Sequence, residues 1–82
     1  MNIEVLDVSL NTIEKVKKFT SLSNCFDCDV DVLQGRYIVA GKSIMGIFSL
    51  NLTETVTVVI ESDDEKEIDR FFKEMEEFRP ND

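Results

Sequence analysis

The sequence contains no histidine. Histidine is the commonest general base near neutral pH and the commonest metal ligand, so its absence excludes Ser-His and Cys-His catalytic pairs. The three glycines are scattered, which excludes a glycine-rich phosphate-binding loop. Helix and strand surfaces account for the many paired carboxylates. The sequence therefore predicts a protein that is not an enzyme and that binds no cofactor and no metal.

Cysteine is scarce, and the only two cysteines are Cys25 and Cys28. They form an isolated C-x-x-C motif, which is typical of a redox pair or of half a zinc site. Zinc needs four ligands, and the chain has no second pair to supply them. In an extended segment the two cysteines would lie on opposite sheet faces roughly 10 Å apart, too far for a disulfide. We expect Cys28 to be a core residue and Cys25 a reduced loop thiol.

Long apolar runs and a basic N-terminal region are also missing, so the sequence predicts neither a membrane span nor a signal peptide, and we expect a cytoplasmic location.

The net charge is −8, from seventeen acidic and nine basic residues. An acidic surface repels phosphate backbones, which disfavours nucleic-acid binding, and it suits solubility or a partner with a basic face. The length of 82 residues fits one domain, residues 1–82, with a thin core.

Hydropathy patterns predict the element order β-α-β-β-α-β-α. The predicted strands cover residues 2–8, 26–33, 36–40 and 53–60, and the predicted helices cover residues 11–22, 43–50 and 62–78. In the first strand, Ile3 and Val5 share one face. In the second strand, apolar residues alternate with Asp27, Asp29 and Asp31. The segment has no glycine turn of the kind found in a calcium-binding loop, so we interpret these residues as a solvated strand face. The pattern is typical of an α+β fold in which helices cover one face of a four-stranded sheet and the other face is open to water.

Capping residues mark the predicted helix starts. Asn11 begins the first helix and Ser62 the last, each followed three residues later by a glutamate. Apolar residues at helical spacing predict the buried faces of these two helices. These residues are Ile13, Val16 and Phe19 in the first helix, and Ile68, Phe71, Phe72, Met75 and Phe78 in the last.

Ser43 is the sharpest candidate functional residue. As the N-cap of a short apolar helix, its hydroxyl would accept a backbone hydrogen bond and stabilise the protein by ~0.5–2 kcal/mol. As a phosphoacceptor, it would place a charge of ~−1.5 to −2 beside the positive end of that helix, next to Lys42. The two roles are compatible.

Residues 41–50, Gly-Lys-Ser-Ile-Met-Gly-Ile-Phe-Ser-Leu, resemble the regulatory-serine region of HPr, the histidine-containing phosphocarrier of the bacterial sugar phosphotransferase system. The resemblance is strongest to Gram-positive members and over residues 35–78, and it extends weakly over nearly the whole chain. It implies an open-faced β-sandwich, with three helices on an antiparallel sheet whose strands are ordered first, fourth, second, third.

The resemblance also implies a function. Family members carry phosphate on a histidine at the start of the first helix, and Asn11 occupies that position here. An amide cannot form the phosphoramidate, so the sequence excludes histidine phosphotransfer. Ser43 falls on the regulatory serine, which a dedicated kinase phosphorylates so that a transcriptional regulator can bind. The expected protein is a non-catalytic regulatory or adaptor domain with Ser43 as its phosphorylation site. The expected partner contacts are Lys42, Met45, Gly46 and Ile47.

Two alternatives remain open. The first is a structural or self-association module that uses the same fold without phosphorylation, through the face carrying Asp27, Asp29 and Asp31 or through an exposed strand edge. The second is a conventional phosphocarrier, against which the missing histidine argues.

Overall fold

The computed structural model describes residues 2–80 and confirms the predicted element order. A short 3-10 turn, Glu76–Phe78, follows the last helix. The elements are β1 (Asn2–Val8), α1 (Ile13–Asn24), β2 (Asp29–Gln34), β3 (Tyr37–Ala40), α2 (Ile44–Phe48), β4 (Val56–Ser62) and α3 (Glu65–Met75).

The strands form one antiparallel sheet in the order β1-β4-β2-β3, as the resemblance implied. The chain reverses between β2 and β3 at Gly35, whose φ of 60° lies in the left-handed region that a residue without Cβ adopts most easily. β1 and β3 are the edge strands. The helices cover one face of the sheet and leave the other open.

The core lies between the sheet and the helix layer. β4 contributes three fully buried residues, Val56, Val58 and Ile60, because alternate residues of a strand face the same side. The helices and the segment after α1 add two edge-to-face aromatic pairs, Phe19 with Phe78 at 5.9 Å between ring centroids and Phe26 with Phe71 at 5.2 Å. Four residues of the predicted last-helix stripe are buried, and Phe72 packs at its edge. The four are Ile68, Phe71, Met75 and Phe78.

The face of β1 that enters the core differs from the simplest reading of its sequence. Ile3 and Val5 share a face, as expected, but it is the open face, and each is 57% exposed. Leu6 and Val8 enter the core instead. The cause is the register with β4, which sets Leu6 opposite the buried Val58, and opposed residues of antiparallel strands share a face.

The first helix starts one residue later than predicted. Thr12, and not Asn11, is the N-cap, and its hydroxyl accepts a hydrogen bond from the backbone N–H of Lys15 at 3.1 Å. Asn11 instead accepts a hydrogen bond from the Lys15 ammonium at 3.1 Å. Ile13 was predicted on the buried face of the helix, but it lies in the first turn and is 62% exposed.

The last helix also starts later than predicted, because Ser62 is still paired with Asn2 as the final residue of β4. The N-cap is Asp64, which accepts a hydrogen bond from the backbone N–H of Lys66 at 3.0 Å. Among residues 2–80, none of the helices combines the length and the apolar character that crossing a bilayer requires.

Candidate functional site

The start of α2 presents Ser43 as the sequence predicts. Ser43 is the N-cap, with extended dihedrals, and its Oγ accepts a hydrogen bond from the backbone N–H of Gly46 at 3.2 Å. Its carbonyl accepts the first helical hydrogen bond, from Ile47 at 3.1 Å. Ser43 is exposed. The hydroxyl therefore caps the helix and remains accessible to another protein.

The chain leading into α2 is held close to the sheet. Gly41 is buried, and its backbone N–H donates to the Val30 carbonyl at 2.7 Å. A Cβ at Gly41 would lie 2.6 Å from Cγ1 of Val30, so a larger residue there would displace the strand or the turn. The Lys42 ammonium donates to the Phe26 carbonyl at 2.6 Å, and Asn24 donates to the Lys42 carbonyl at 3.3 Å. These hydrogen bonds hold the start of α2 against the end of α1.

The predicted partner contacts divide between surface and interior. Met45 is 79% exposed and is available to a partner. Ile47 is fully buried, so its assignment as a contact is wrong: in this five-residue helix it is the residue that faces the core. Lys42 and Gly46 are half-buried, and each donates one hydrogen bond within the chain, from the Lys42 ammonium to Phe26 and from the Gly46 backbone N–H to Ser43. Phe48 is 42% exposed and is also available to a partner.

The start of α1 is the second part of the site. The loop before it is held by the backbone N–H of Ser9, which donates to the Phe78 carbonyl at 2.7 Å. Asn11, Thr12 and Ile13 are all exposed. Asn11 presents an amide, whose oxygen accepts from Lys15, and no nucleophilic nitrogen. The position that the resemblance assigns to the family histidine therefore bears no imidazole.

The two cysteines lie in different surroundings. Both are free; Cys25 is exposed at the end of α1, and Cys28 is buried, as expected. Burial and, to a smaller extent, the nearby Glu67 carboxylate together raise the pKa of the Cys28 thiol from 9.0 to about 11. Cys28 therefore remains a protonated thiol at neutral pH, and it is neither a nucleophile nor a ready metal ligand.

The three acidic residues predicted in the second strand are all exposed to solvent. Asp29 and Asp31 are exposed on the open face of β2, and Asp27 precedes the strand. Within the described range, residues 2–80, no group of three or more His, Cys, Asp or Glu side chains is arranged to hold a metal ion.

Comparison with known proteins identifies the family. The family model PTS-HPr, described as the phosphorylation site of the HPr component of the phosphotransferase system, matches residues 14–79. The match therefore includes Ser43 and starts after Asn11. A comparison with curated proteins gave no match.

Solved structures show the same fold. HPr-C-His from Thermoanaerobacter tengcongensis superposes with a TM-score of 0.69 at 24% identity, covering 93% of this chain and 92% of that one. The phosphocarrier protein HPr from Bacillus anthracis str. Ames superposes with a TM-score of 0.67, also at 24% identity, covering 93% of this chain and 100% of that one. Because the family model matches most of the chain, this protein belongs to the HPr family of phosphotransferase-system phosphocarriers.

Proposed function

We propose that this chain is a non-catalytic regulatory or adaptor domain of the HPr family, regulated by phosphorylation of Ser43 and not competent for histidine phosphotransfer. The observation that carries the proposal is an exposed serine hydroxyl at the start of α2, in a chain that has no histidine. Its partners are proteins: an HPr-type kinase that modifies Ser43, and a transcriptional regulator that binds the product. Its location is cytoplasmic, and its 82 residues act as one domain.

The surroundings of Ser43 favour a phosphate. In the described chain, its Oγ accepts one hydrogen bond, from Gly46, and donates none, so the hydroxyl proton is free for transfer. The adjacent Lys42 ammonium is bonded to a neutral carbonyl, and within residues 2–80 it forms no ion pair. Its positive charge is therefore available to offset part of the ~−1.5 to −2 charge that a phosphate adds.

Exposed apolar side chains near Ser43 supply a docking surface. Met45 and Phe48 lie on α2, two and five residues beyond Ser43. Exposed aromatic and methionine side chains are enriched in protein interfaces. A phosphate on Ser43 would add charge at the margin of this surface and so change which partner binds it.

The test is incubation of the purified protein with an HPr-type kinase and ATP, followed by intact mass measurement. We expect a mass gain of one phosphoryl group, and Ser43→Ala should abolish it. The matched control is Ser49→Ala, because Ser49 is exposed at the other end of α2 and should not affect labelling. Absence of a mass gain in the wild type, or a gain that persists in Ser43→Ala, would refute the proposal.

The alternative is a structural or self-association module without phosphorylation. It takes support from β1 and β3, which are edge strands and, in the described chain, leave backbone N–H and C=O groups without a strand partner on one side. Light scattering over a range of protein and salt concentrations separates the two proposals. A stable dimer combined with no kinase labelling would favour the structural module.

A further inference from the structure

The sheet face that the helices leave uncovered has an unusual composition. Strand pairing defines its members, because opposed residues in the antiparallel register point to the same side. Aliphatic and acidic side chains dominate, and none of the members is lysine or arginine. The face comprises Ile3, Val5, Asp7, Asp29, Asp31, Leu33, Ile38, Ala40, Thr57, Val59 and Glu61.

The aliphatic residues form a diagonal band across this face. The band begins at Ile3 and Val5 on one edge strand and continues through Val59, which lies opposite Val5. It ends at Leu33 and at Ile38, which lies opposite Leu33 on the other edge strand. With strands ~4.8 Å apart and residues ~3.3 Å apart along each strand, the band is roughly 20 Å long.

Carboxylates flank the band on both sides. Glu61 and Asp29 are paired with each other across β4 and β2, and Asp31 follows on β2. Asp7 lies on the other side of the band and accepts a hydrogen bond from Thr57 at 2.9 Å. In the chain from residue 2 to 80, no salt bridge reaches any of these carboxylates.

The aliphatic side chains of the band are more exposed than is usual on a solvated sheet face. Ile3 and Val5 are each 57% exposed, and Ile38 is 68% exposed. Antiparallel sheets with one solvated face place polar side chains there, and exposed aliphatic groups rimmed by polar residues mark contact sites. The charge of the rim indicates the partner, since carboxylates without cations of their own attract lysine and arginine.

We propose that this open face binds a basic amphipathic helix of another protein. Apolar residues of that helix would cover the aliphatic band, and its lysine or arginine side chains would pair with Asp31, Glu61 and Asp29. A band of roughly 20 Å matches a helix of about 13 residues at ~1.5 Å per residue.

A second copy of this chain does not fit the same face. Two open faces in contact would bring the carboxylates of both copies together with no cation between them, and the chain as a whole carries a net charge of −8. The face is also separate from Ser43, because α2 lies in the helix layer on the opposite side of the sheet. Binding here is independent of phosphorylation.

The test is an NMR titration of the 15N-labelled protein with a synthetic helical peptide that carries leucine on one face and lysine on the other. We expect shift changes concentrated in the amides of the four strands, and an affinity that falls as salt rises. A control peptide with glutamate in place of lysine should not bind. Shift changes confined to α1 and α2, or equal binding of the control peptide, would overturn the proposal.

Two pairs of matched variants locate the contact. Glu61→Gln, on the open face, should weaken peptide binding roughly two- to fivefold, whereas Glu74→Gln, exposed on α3, should leave it unchanged. Ile38→Thr should weaken binding, whereas Ile13→Thr, a similarly exposed isoleucine on α1, should not. Equal effects within either pair, or a dimer that forms through this face, would contradict the assignment. The spectrum of each free variant shows whether it is folded.

Discussion

The starts of α1 and α2 are capped in the same way but differ in the chemistry they offer. Thr12 has extended dihedrals of −135° and 154°, and its hydroxyl accepts from the Lys15 N–H at 3.1 Å. Ser43 has dihedrals of −104° and 107°, and its hydroxyl accepts from Gly46 at 3.2 Å. Before Thr12, the amide of Asn11 accepts a hydrogen bond from Lys15. Asn11 is the position that the resemblance to HPr assigns to the family histidine.

The comparison shows that a helix N-cap forms in the same way whether or not the residues beside it can accept a phosphate. A hydroxyl at the right backbone position satisfies a free N–H, whatever its neighbours are. The start of α1 has that geometry beside the Asn11 amide, whereas the start of α2 has it at the hydroxyl that we propose as a phosphoacceptor. The geometry of the cap alone therefore does not distinguish the two sites.

The largest effect that sharpens this comparison concerns one isoleucine from each helix. Ile47→Ala should lower the free energy of unfolding by ~2–5 kcal/mol, because the side chain is fully buried and its loss leaves a cavity. Ile13→Ala should change it by no more than ~0.5 kcal/mol, because Ile13 is exposed. Urea denaturation measures both. Similar losses in the two variants would contradict the burial of Ile47 and the exposure of Ile13.

The next effect compares Cys25, which ends α1, with Cys28, which precedes β2. A pKa of about 11 instead of 9.0 leaves roughly 100-fold less Cys28 thiolate at neutral pH than an unshifted thiol would have. We expect iodoacetamide to alkylate Cys25 in the folded protein and to spare Cys28, as measured by peptide mass mapping. The control is Cys25→Ser, which should remove the rapid reaction. Equal labelling of both cysteines would contradict the burial of Cys28.

The same thiol gives a pH dependence with a defined sign. The unfolded thiol ionises near 9.0, whereas the folded one keeps its proton up to about 11. Above pH 9 the unfolded state therefore binds fewer protons, so this group lowers stability as pH rises through that window. Replacing Cys28 by alanine should remove this component of the pH profile, which is measured by urea denaturation at each pH.

The smallest effect compares the caps themselves. Ser43→Ala and Thr12→Ala should each lower the free energy of unfolding by about 1 kcal/mol, since each leaves one helix N–H without its acceptor. Asn11→Ala should cost less, because its exposed hydrogen bond to a lysine competes with water. Urea denaturation of the three variants checks the ranking. A larger loss for Asn11→Ala than for Thr12→Ala would mean that Asn11 is the functional cap.

Much of the fold could be predicted because local signals agreed with the global arrangement. Alternating valines in β4, the apolar stripe of α3 and the turn at Gly35 each indicate one structure. The sequence of β1 alone does not show whether Ile3 and Val5 or Leu6 and Val8 face the core, since both faces of the strand carry apolar residues. The pairing of Leu6 with Val58 decides it, and that contact joins residues far apart in sequence.

The site was predictable in part for the same reason. A serine before a short apolar helix is a local signal, and Ser43 is the cap. The orientation of α2 is not local, because Ile44, Ile47 and Phe48 are all apolar and five residues are too few to define one buried face. Packing of α2 against α1 and β3 turns Ile47 inward and leaves Phe48 partly exposed.

The pairing of β1 with β4 has a consequence for synthesis of the chain. Asn2 lies opposite Ser62, so β1 pairs with a strand that is synthesised only after α1, β2, β3 and α2. The β2–β3 hairpin needs only neighbouring residues and is free to close early, whereas β1 must wait for a distant contact. In the nascent polypeptide, Leu6 and Val8 therefore stay unpaired and accessible to chaperones until β4 emerges and the sheet is completed.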